Sequence, residues 1–138
     1  MDVFNQVIPD LRRAMEFFGG AEDGPFVMVN LLKVKPRAEY ADGTDGHLTG
    51  AEAYARYGEA VRKLIEHLGG RVRYSGAVTG LMIGEVEELW DAVALAEYPS
   101  LAAFREMAIS PAMHAIEHHR EAGLAGQLNI RTKPGADF

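Results

Sequence analysis

The run "FVMVNLLKVK", residues 26–35, constrains the fold more than any other part of this chain. It is apolar at both odd and even positions, so neither face of the strand it predicts is suited to water. Such a strand belongs in the middle of a sheet with cover on each side. One polar residue, Asn30, interrupts it on the face that also carries Phe26, Met28, Leu32 and Val34. An amide on that face needs an internal partner or a ligand, which makes Asn30 a candidate site residue.

The rest of the pattern supplies the layers. Pro9, Leu11, Ala14, Met15 and Phe18 have helical spacing and Gly19-Gly20 stops them, predicting a short helix over about 9–18 that serves as a packing arm or lid. The turn residues Glu22-Asp23-Gly24-Pro25 separate it from the buried strand. Residues 36–50 contain Pro36 and two Asp-Gly pairs without periodicity, a long loop positioned to cover a pocket or to lie in solvent. Thr49 and Glu52 form a capping box for a long helix with Tyr54, Tyr57, Val61, Leu64 and Leu68 on one stripe, ended by Gly69-Gly70. Each phenol on that stripe needs a hydrogen-bond partner.

"RVRYSGAVTGLMIG" (71–84) and "LWDAVALAEY" (89–98) both alternate, and "EVEE" between them predicts a close hairpin. The second strand places Trp90, Ala92, Ala94, Ala96 and Tyr98 on one face. Ser100 caps a helix carrying Leu101, Phe104 and Met107; Ser110-Pro111 breaks it and starts another; a last strand covers about 124–132. A helix followed by β-α-β-β-α-β predicts a ferredoxin-like α+β fold. The 138 residues form a single domain in this reading: an N-terminal helical arm of about 1–22, a core of about 23–132 and a polar tail, 133–138.

The net charge of −6, with no run of Lys or Arg to offset it, argues against nucleic-acid partners. The absence of cysteine excludes disulfides, thiolate catalysis and Cys-based zinc sites, and fits a cytoplasmic location. No apolar run approaches the ~20 residues needed to span a bilayer, and the N-terminus lacks the pattern of a signal peptide, so no membrane partner is expected.

"HAIEHHR" holds three of the five histidines, and His114 to His118 spell H-x-x-E-H. On one helix starting at Pro111, His114, Glu117, His118 and Glu121 share the polar side. A zinc-protease helix needs a cleft and a third ligand, and nothing in the chain offers that ligand. The match is therefore read as accidental and no metal is expected, beyond an ion picked up adventitiously by His114 and His118. His119 falls among Ala112, Ala115, Ile116, Ala122 and Gly123. It is either a core histidine bonded to backbone or a pocket acid/base active near neutral pH. Arg120 points about 100° away, from where it can curl toward an anionic ligand or pair with an acid.

The segments "DGPFVMVNLLKVK", "GAEAYARYGEAV", "GGRVRYSGAVTGLMIG", "WDAVALAEYPSLAAFREM" and "HHREAGL" resemble the DUF1330 family over about residues 23–132. The resemblance implies membership of the dimeric α/β-barrel superfamily: ferredoxin-like subunits that pair through their sheets and hold ligands between sheet and helices. It also implies that Asn30, Tyr57, Ser75, Trp90, His119 and Arg120 are family-typical polar positions. His114 and Glu117 have no counterpart in the family pattern. Relatives implied by the superfamily include cofactor-independent monooxygenases, muconolactone isomerases, heme-degrading monooxygenases and chlorite dismutases.

The expected function is thus a small-molecule-binding homodimer, in its enzymatic form a cofactor-independent catalyst of proton transfer, isomerisation or monooxygenation. His119 would be the acid/base, with Asn30 and Tyr57 orienting a carbonyl or enolate oxygen. Tyr54, Ser75, Trp90 and Arg120 would contact the substrate. The alternative is a non-catalytic binding or stress-related module whose helix–sheet gap is closed and whose polar groups satisfy one another. A heme protein using His118 or His119 is the lesser option, because His119 lies much further beyond Trp90 than in heme-degrading relatives.

Overall fold

The computed structural model describes residues 3, 6–20 and 24–135. The other arm residues, the turn residues Glu22 and Asp23 and the end of the polar tail lie outside this description. The buried run becomes β1 (Phe26–Val34), in the interior of a four-stranded antiparallel sheet of order β2-β3-β1-β4. Its neighbours are β3 (Ala92–Tyr98) and β4 (Leu124–Thr132); β2 (Arg71–Ala77) pairs with the far side of β3. Ahead of β1 lies α1 (Leu11–Phe18). Four helices complete the order: α2 (Gly50–His67), α3 (Leu101–Ala108), α4 (Pro111–His114) and α5 (Glu117–Gly123). This is the ferredoxin-like α+β fold, its second helical connection divided into three pieces.

The core lies between the helices and one face of the sheet. Phe26 and Met28 of β1 meet Ala96 and Tyr98 of β3, and Ile65, Met107 and Met113 close over them. The pairs Phe26–Tyr98, Met28–Ala96, Asn30–Ala94 and Leu32–Ala92 put both strands' expected inward faces in register. The opposite parity, including Val29, Leu31, Val93 and Leu95, forms the other face of the sheet.

Local chemistry sets the helix ends. Asp10 caps α1 by accepting from the Arg13 N–H at 2.9 Å, and the Thr49–Glu52 capping box opens α2 as expected. At the far end of α2, Gly69 adopts φ +89, a conformation that glycine supplies without a Cβ penalty. Where α2 crosses α5, backbone meets backbone. A Cβ on Gly50 would sit 2.7 Å from the Gly123 carbonyl oxygen, and one on Gly123 would sit 2.5 Å from the Gly50 carbonyl oxygen.

Two expectations of extent need correction. The strand expected over 71–84 ends at Ala77, where Ala92 is its last partner on β3. Residues beyond it leave the sheet, and Gly84 turns with φ +97. Leu81, Met82 and Ile83 extended the strand-like signal but have no neighbouring strand, so the close hairpin is a long loop and Trp90 lies ahead of β3. The loop is anchored at its return by Asp91, which accepts from the Val34 N–H at 2.9 Å and pairs with Lys33 at 3.3 Å.

The second correction concerns the single helix expected from Pro111. It breaks at Ala115–Ile116, where successive i→i−3 bonds, Ile116 to Met113 and His119 to Ile116, tighten the chain. Each piece buries its own anchor, Met113 in α4 and Ala122 in α5. A wheel drawn at constant phase therefore misplaces the residues after the break.

Candidate ligand-binding site

Between the sheet and α2 lies a chamber of about 1000 Å³. Met28 and Asn30 of β1, with Ala94 and Ala96 of β3, form its floor. Tyr54, Tyr57 and Val61 line it from α2, and Met107 and Met113 from the shorter helices. The N-terminal arm closes another side: residues Val7–Pro9 border the space, and Phe17 and Phe18 pack on Phe104. The walls are mainly apolar with a few polar groups, the usual make-up of a small-molecule pocket.

A polar chain runs along one edge. Arg120 Nη1 donates to Gln127 Oε1 at 3.2 Å, Gln127 Nε2 donates to Asn30 Oδ1 at 2.8 Å, and Asn30 Nδ2 donates to the Ala94 carbonyl at 3.3 Å. Each amide is oriented by the one before it, because donor and acceptor ends must alternate along the chain. Arg120 Nη1 also donates to the Val7 carbonyl, which ties the arm to this edge. The Arg120 guanidinium lies 5.9 Å from the centre of the Tyr57 ring.

Three phenols form a second polar group. Burial pushes the hydroxyls of Tyr54, Tyr57 and Tyr98 up from their ordinary value, so all three are neutral at physiological pH. Their charges, were they ionised, would repel one another: Tyr57 acts on Tyr54, and both act on Tyr98. Tyr57 makes only a long contact to Met113 Sδ, 3.8 Å. The Tyr54 and Tyr98 hydroxyls have no hydrogen-bond partner among the described residues, and neither is sealed off inside the protein.

Of the residues singled out in the sequence, Asn30, Tyr54, Tyr57, Ser75 and Arg120 come together around the chamber; Trp90 and His119 do not line it. Trp90 sits half-buried in the segment before β3. His119 faces the 36–49 loop instead, where its Nδ1 lies 2.7 Å from the Tyr40 hydroxyl. Arg56 donates to that hydroxyl at 3.3 Å and pairs with Asp45 at 2.9 Å, so His119 and Arg56 together pin the loop. Burial, the neighbouring His118 and the Arg56 charge push the His119 imidazole below its ordinary value, with Asp45 opposing them. Among the described residues no group of three or more His, Cys, Asp or Glu side chains is arranged to hold a metal ion.

Sequence reasoning missed Gln127 and Tyr98 as site residues. Tyr98 was on the correct face but carried no signal beyond strand alternation. Gln127 was hidden because β4 reads in reverse. Its apolar residues Leu128 and Ile130 share the parity that pairs with Leu31 and Val29, whereas Gln127 and Asn129 pair with Leu32 and Asn30 on the helix side.

The fold and its chamber define a ferredoxin-like domain with a ligand-sized space between sheet and helices. The chain belongs to the DUF1330 family, a domain of unknown function whose model matches residues 44–132. It is 39% identical to the methylated RPA0582 protein across 96% of both chains, with a TM-score of 0.87. A second structure of RPA0582, a protein of unknown function from Rhodopseudomonas palustris, gives 38% identity over 97% of this chain and 100% of that one, with a TM-score of 0.86. More distantly, a dimeric ferredoxin-like protein of unknown function from Bacteroides fragilis shares the fold at 14% identity. It matches over 80% of this chain and 96% of its own, with a TM-score of 0.50. No curated protein matches the chain. Among the described residues, no helix is long and apolar enough to cross a membrane.

Proposed function

We propose that this chain is a small-molecule-binding protein whose ligand occupies the chamber between α2 and the sheet. The observation that carries the reading is the pair of neutral phenol hydroxyls, Tyr54 and Tyr98, that border an apolar space without hydrogen-bond partners among the described residues. Both hydroxyls open onto the space and are unpaired among the described residues, so they are free to bond a ligand held there. A closed module with every polar group satisfied internally has no need of such a space.

The geometry favours binding over acid–base chemistry. Asn30 is engaged at both ends of its amide, which leaves no obvious donor for an enolate oxygen. The phenols are held neutral by burial, and all five histidines lie off the chamber lining. An acid/base role for His119 would require the Tyr40 contact to open and the side chain to turn toward the ligand. Heme ligation meets the same obstacle.

The test is a ligand-observed NMR screen of small aromatic and aliphatic metabolites, repeated on Val61→Trp, which projects an indole into the chamber and narrows it. Hits lost in a variant that still melts cooperatively support the reading. Hits that bind Val61→Trp unchanged would place the ligand elsewhere and sink it.

The protein also acts, in this proposal, as a homodimer. The sheet face away from the helices is apolar, with Val29, Leu31, Val93 and Leu95 along its middle, while Tyr74 and Ile130 are 59% and 45% exposed. A face of that composition calls for a partner, and the Bacteroides fragilis relative of the same fold is dimeric.

A further inference from the structure

We infer that the chamber selects carboxylates: an apolar, flat-bodied acid whose carboxylate is held by Arg120. The inference rests on the proposed ligand-binding reading and names the chemistry of that ligand.

Arg120 is half-buried beside an apolar space, yet no carboxylate among the described residues is in ion-pair contact with it. A guanidinium cannot shed its proton to escape burial, so such a position calls for an anion. Its neutral partners use only Nη1, which donates to Gln127 and to the Val7 carbonyl. Nε and Nη2 have no partner among the described residues, and together they present the parallel N–H pair that matches a carboxylate. The Gln127–Asn30 chain holds the guanidinium at Nη1, so little ordering remains for the ligand to impose.

The surroundings set the rest of the ligand. Tyr57 lies alongside the guanidinium and Tyr54 is 5.6 Å from Tyr57 ring to ring, a wall suited to a flat apolar body. A ligand hydroxyl or carbonyl at the far end would reach the unpartnered hydroxyls of Tyr54 and Tyr98. Two features oppose an anion, the overall charge of −6 and Glu117 on the same helix as Arg120. Neither forms the missing pair. The other cations around the chamber, Arg13, Arg62 and Lys63, are exposed and interspersed with the acids Glu59 and Glu66. Charges at an exposed, mixed rim discriminate weakly.

The experiment compares two probes of nearly equal shape by calorimetry on the full chain: 2-naphthylacetate and its neutral alcohol, 2-(2-naphthyl)ethanol. The acid should bind about tenfold or more tightly than the alcohol, the range expected for charge-assisted bonds to one guanidinium. Arg120→Gln should abolish that preference, bringing the acid and alcohol affinities of the variant within about twofold of each other. Arg62→Gln on the rim should leave the preference intact. A cooperative thermal melt of Arg120→Gln checks that the variant is folded. Where that variant fails to fold, Arg120→Lys takes its place, with part of the preference retained. Equal affinities for acid and alcohol in the unmodified chain would overturn the carboxylate inference while leaving the chamber reading standing. So would a preference that survives in Arg120→Gln. Binding of neither probe would count against both.

Discussion

At the scale of single residues, the half-buried imidazole of His119 is held by chemistry unlike that of the chamber. Its Nδ1 lies 2.7 Å from the Tyr40 hydroxyl, the tilted His118 ring lies 3.9 Å away centre to centre, and Arg56 and Asp45 complete its charged surroundings. Burial and the nearby cations place its folded-state value below the ordinary imidazole value of about 6.5. As pH falls, the unfolded chain therefore takes up the proton first. The contribution of neutral His119 is complete above about pH 6.5 and declines as pH drops through the lower folded-state value. His119→Gln should accordingly lower the melting temperature at pH 7.5, and the difference from the parent should shrink at pH 5. A gap that widens on acidification would contradict the assigned shift. Part of this residue-scale picture was legible in the sequence. Asn30, Tyr54 and Tyr57 were singled out as polar groups on apolar faces and Ser75 and Arg120 through the family resemblance, and all five border the chamber. His119 was misplaced because its direction was taken from a wheel whose phase is broken at Ala115–Ile116. Its partner, Tyr40, sits in a loop that carries no periodicity from which to read a contact.

At the scale of elements, the crossing of α2 and α5 positions the site. Gly50 and Gly123 let the two backbones touch, and Tyr54 begins its stripe next to that crossing: a Cβ on Gly123 would lie 2.8 Å from the Tyr54 nitrogen. Arg120 is on the same short helix as Gly123. Gly123→Ala should therefore push α5 off α2, at a cost of about 1–3 kcal/mol typical of overpacking, and weaken ligand binding by moving Arg120. Gly58→Ala supplies the contrast within α2. Nothing lies within 4 Å of its would-be Cβ, and alanine is the better helix former by about 0.8–1.0 kcal/mol, so thermal melts should show stabilisation. Equal melting temperatures for the two variants would show that the close approach does not matter. The strong element signals were the local ones: the Thr49 box, the Ser100 and Ser110 caps, and the β1 run all appear where the sequence places them. Strand length was less legible, because it depends on a partner. Residues 78–84 extend the apolar, strand-like signal of 71–77, but after one bond from the Val78 N–H to the Asp91 carbonyl they have no strand to pair with.

At the scale of the whole molecule, the reversed pattern of β4 links the chamber to the assembly. An edge strand on a solvated sheet would normally turn its apolar residues toward the helices and its polar residues outward. Here Gln127 and Asn129 face the helix side, where Gln127 organises Arg120, while Leu128 and Ile130 continue the row of Leu31, Val29, Val93 and Leu95 on the open face. One strand thus supplies polar groups to the ligand edge and apolar groups to the surface proposed to pair with a second copy. Packing two such faces would bury these side chains at roughly 25 cal/mol per Å² of apolar surface removed from water. A charge placed in the middle of the row would have to be desolvated without a partner, at several kcal/mol. Leu31→Glu should therefore convert a dimer into a monomer in light scattering at micromolar concentration. Its side chain points away from the helical core, so the variant should still melt cooperatively and keep the chamber's acid preference. If Leu31→Glu remains dimeric, the copies meet through another surface, and the apolar row on β4 needs a different explanation. If the unmodified chain is monomeric at that concentration, the proposed pairing itself fails.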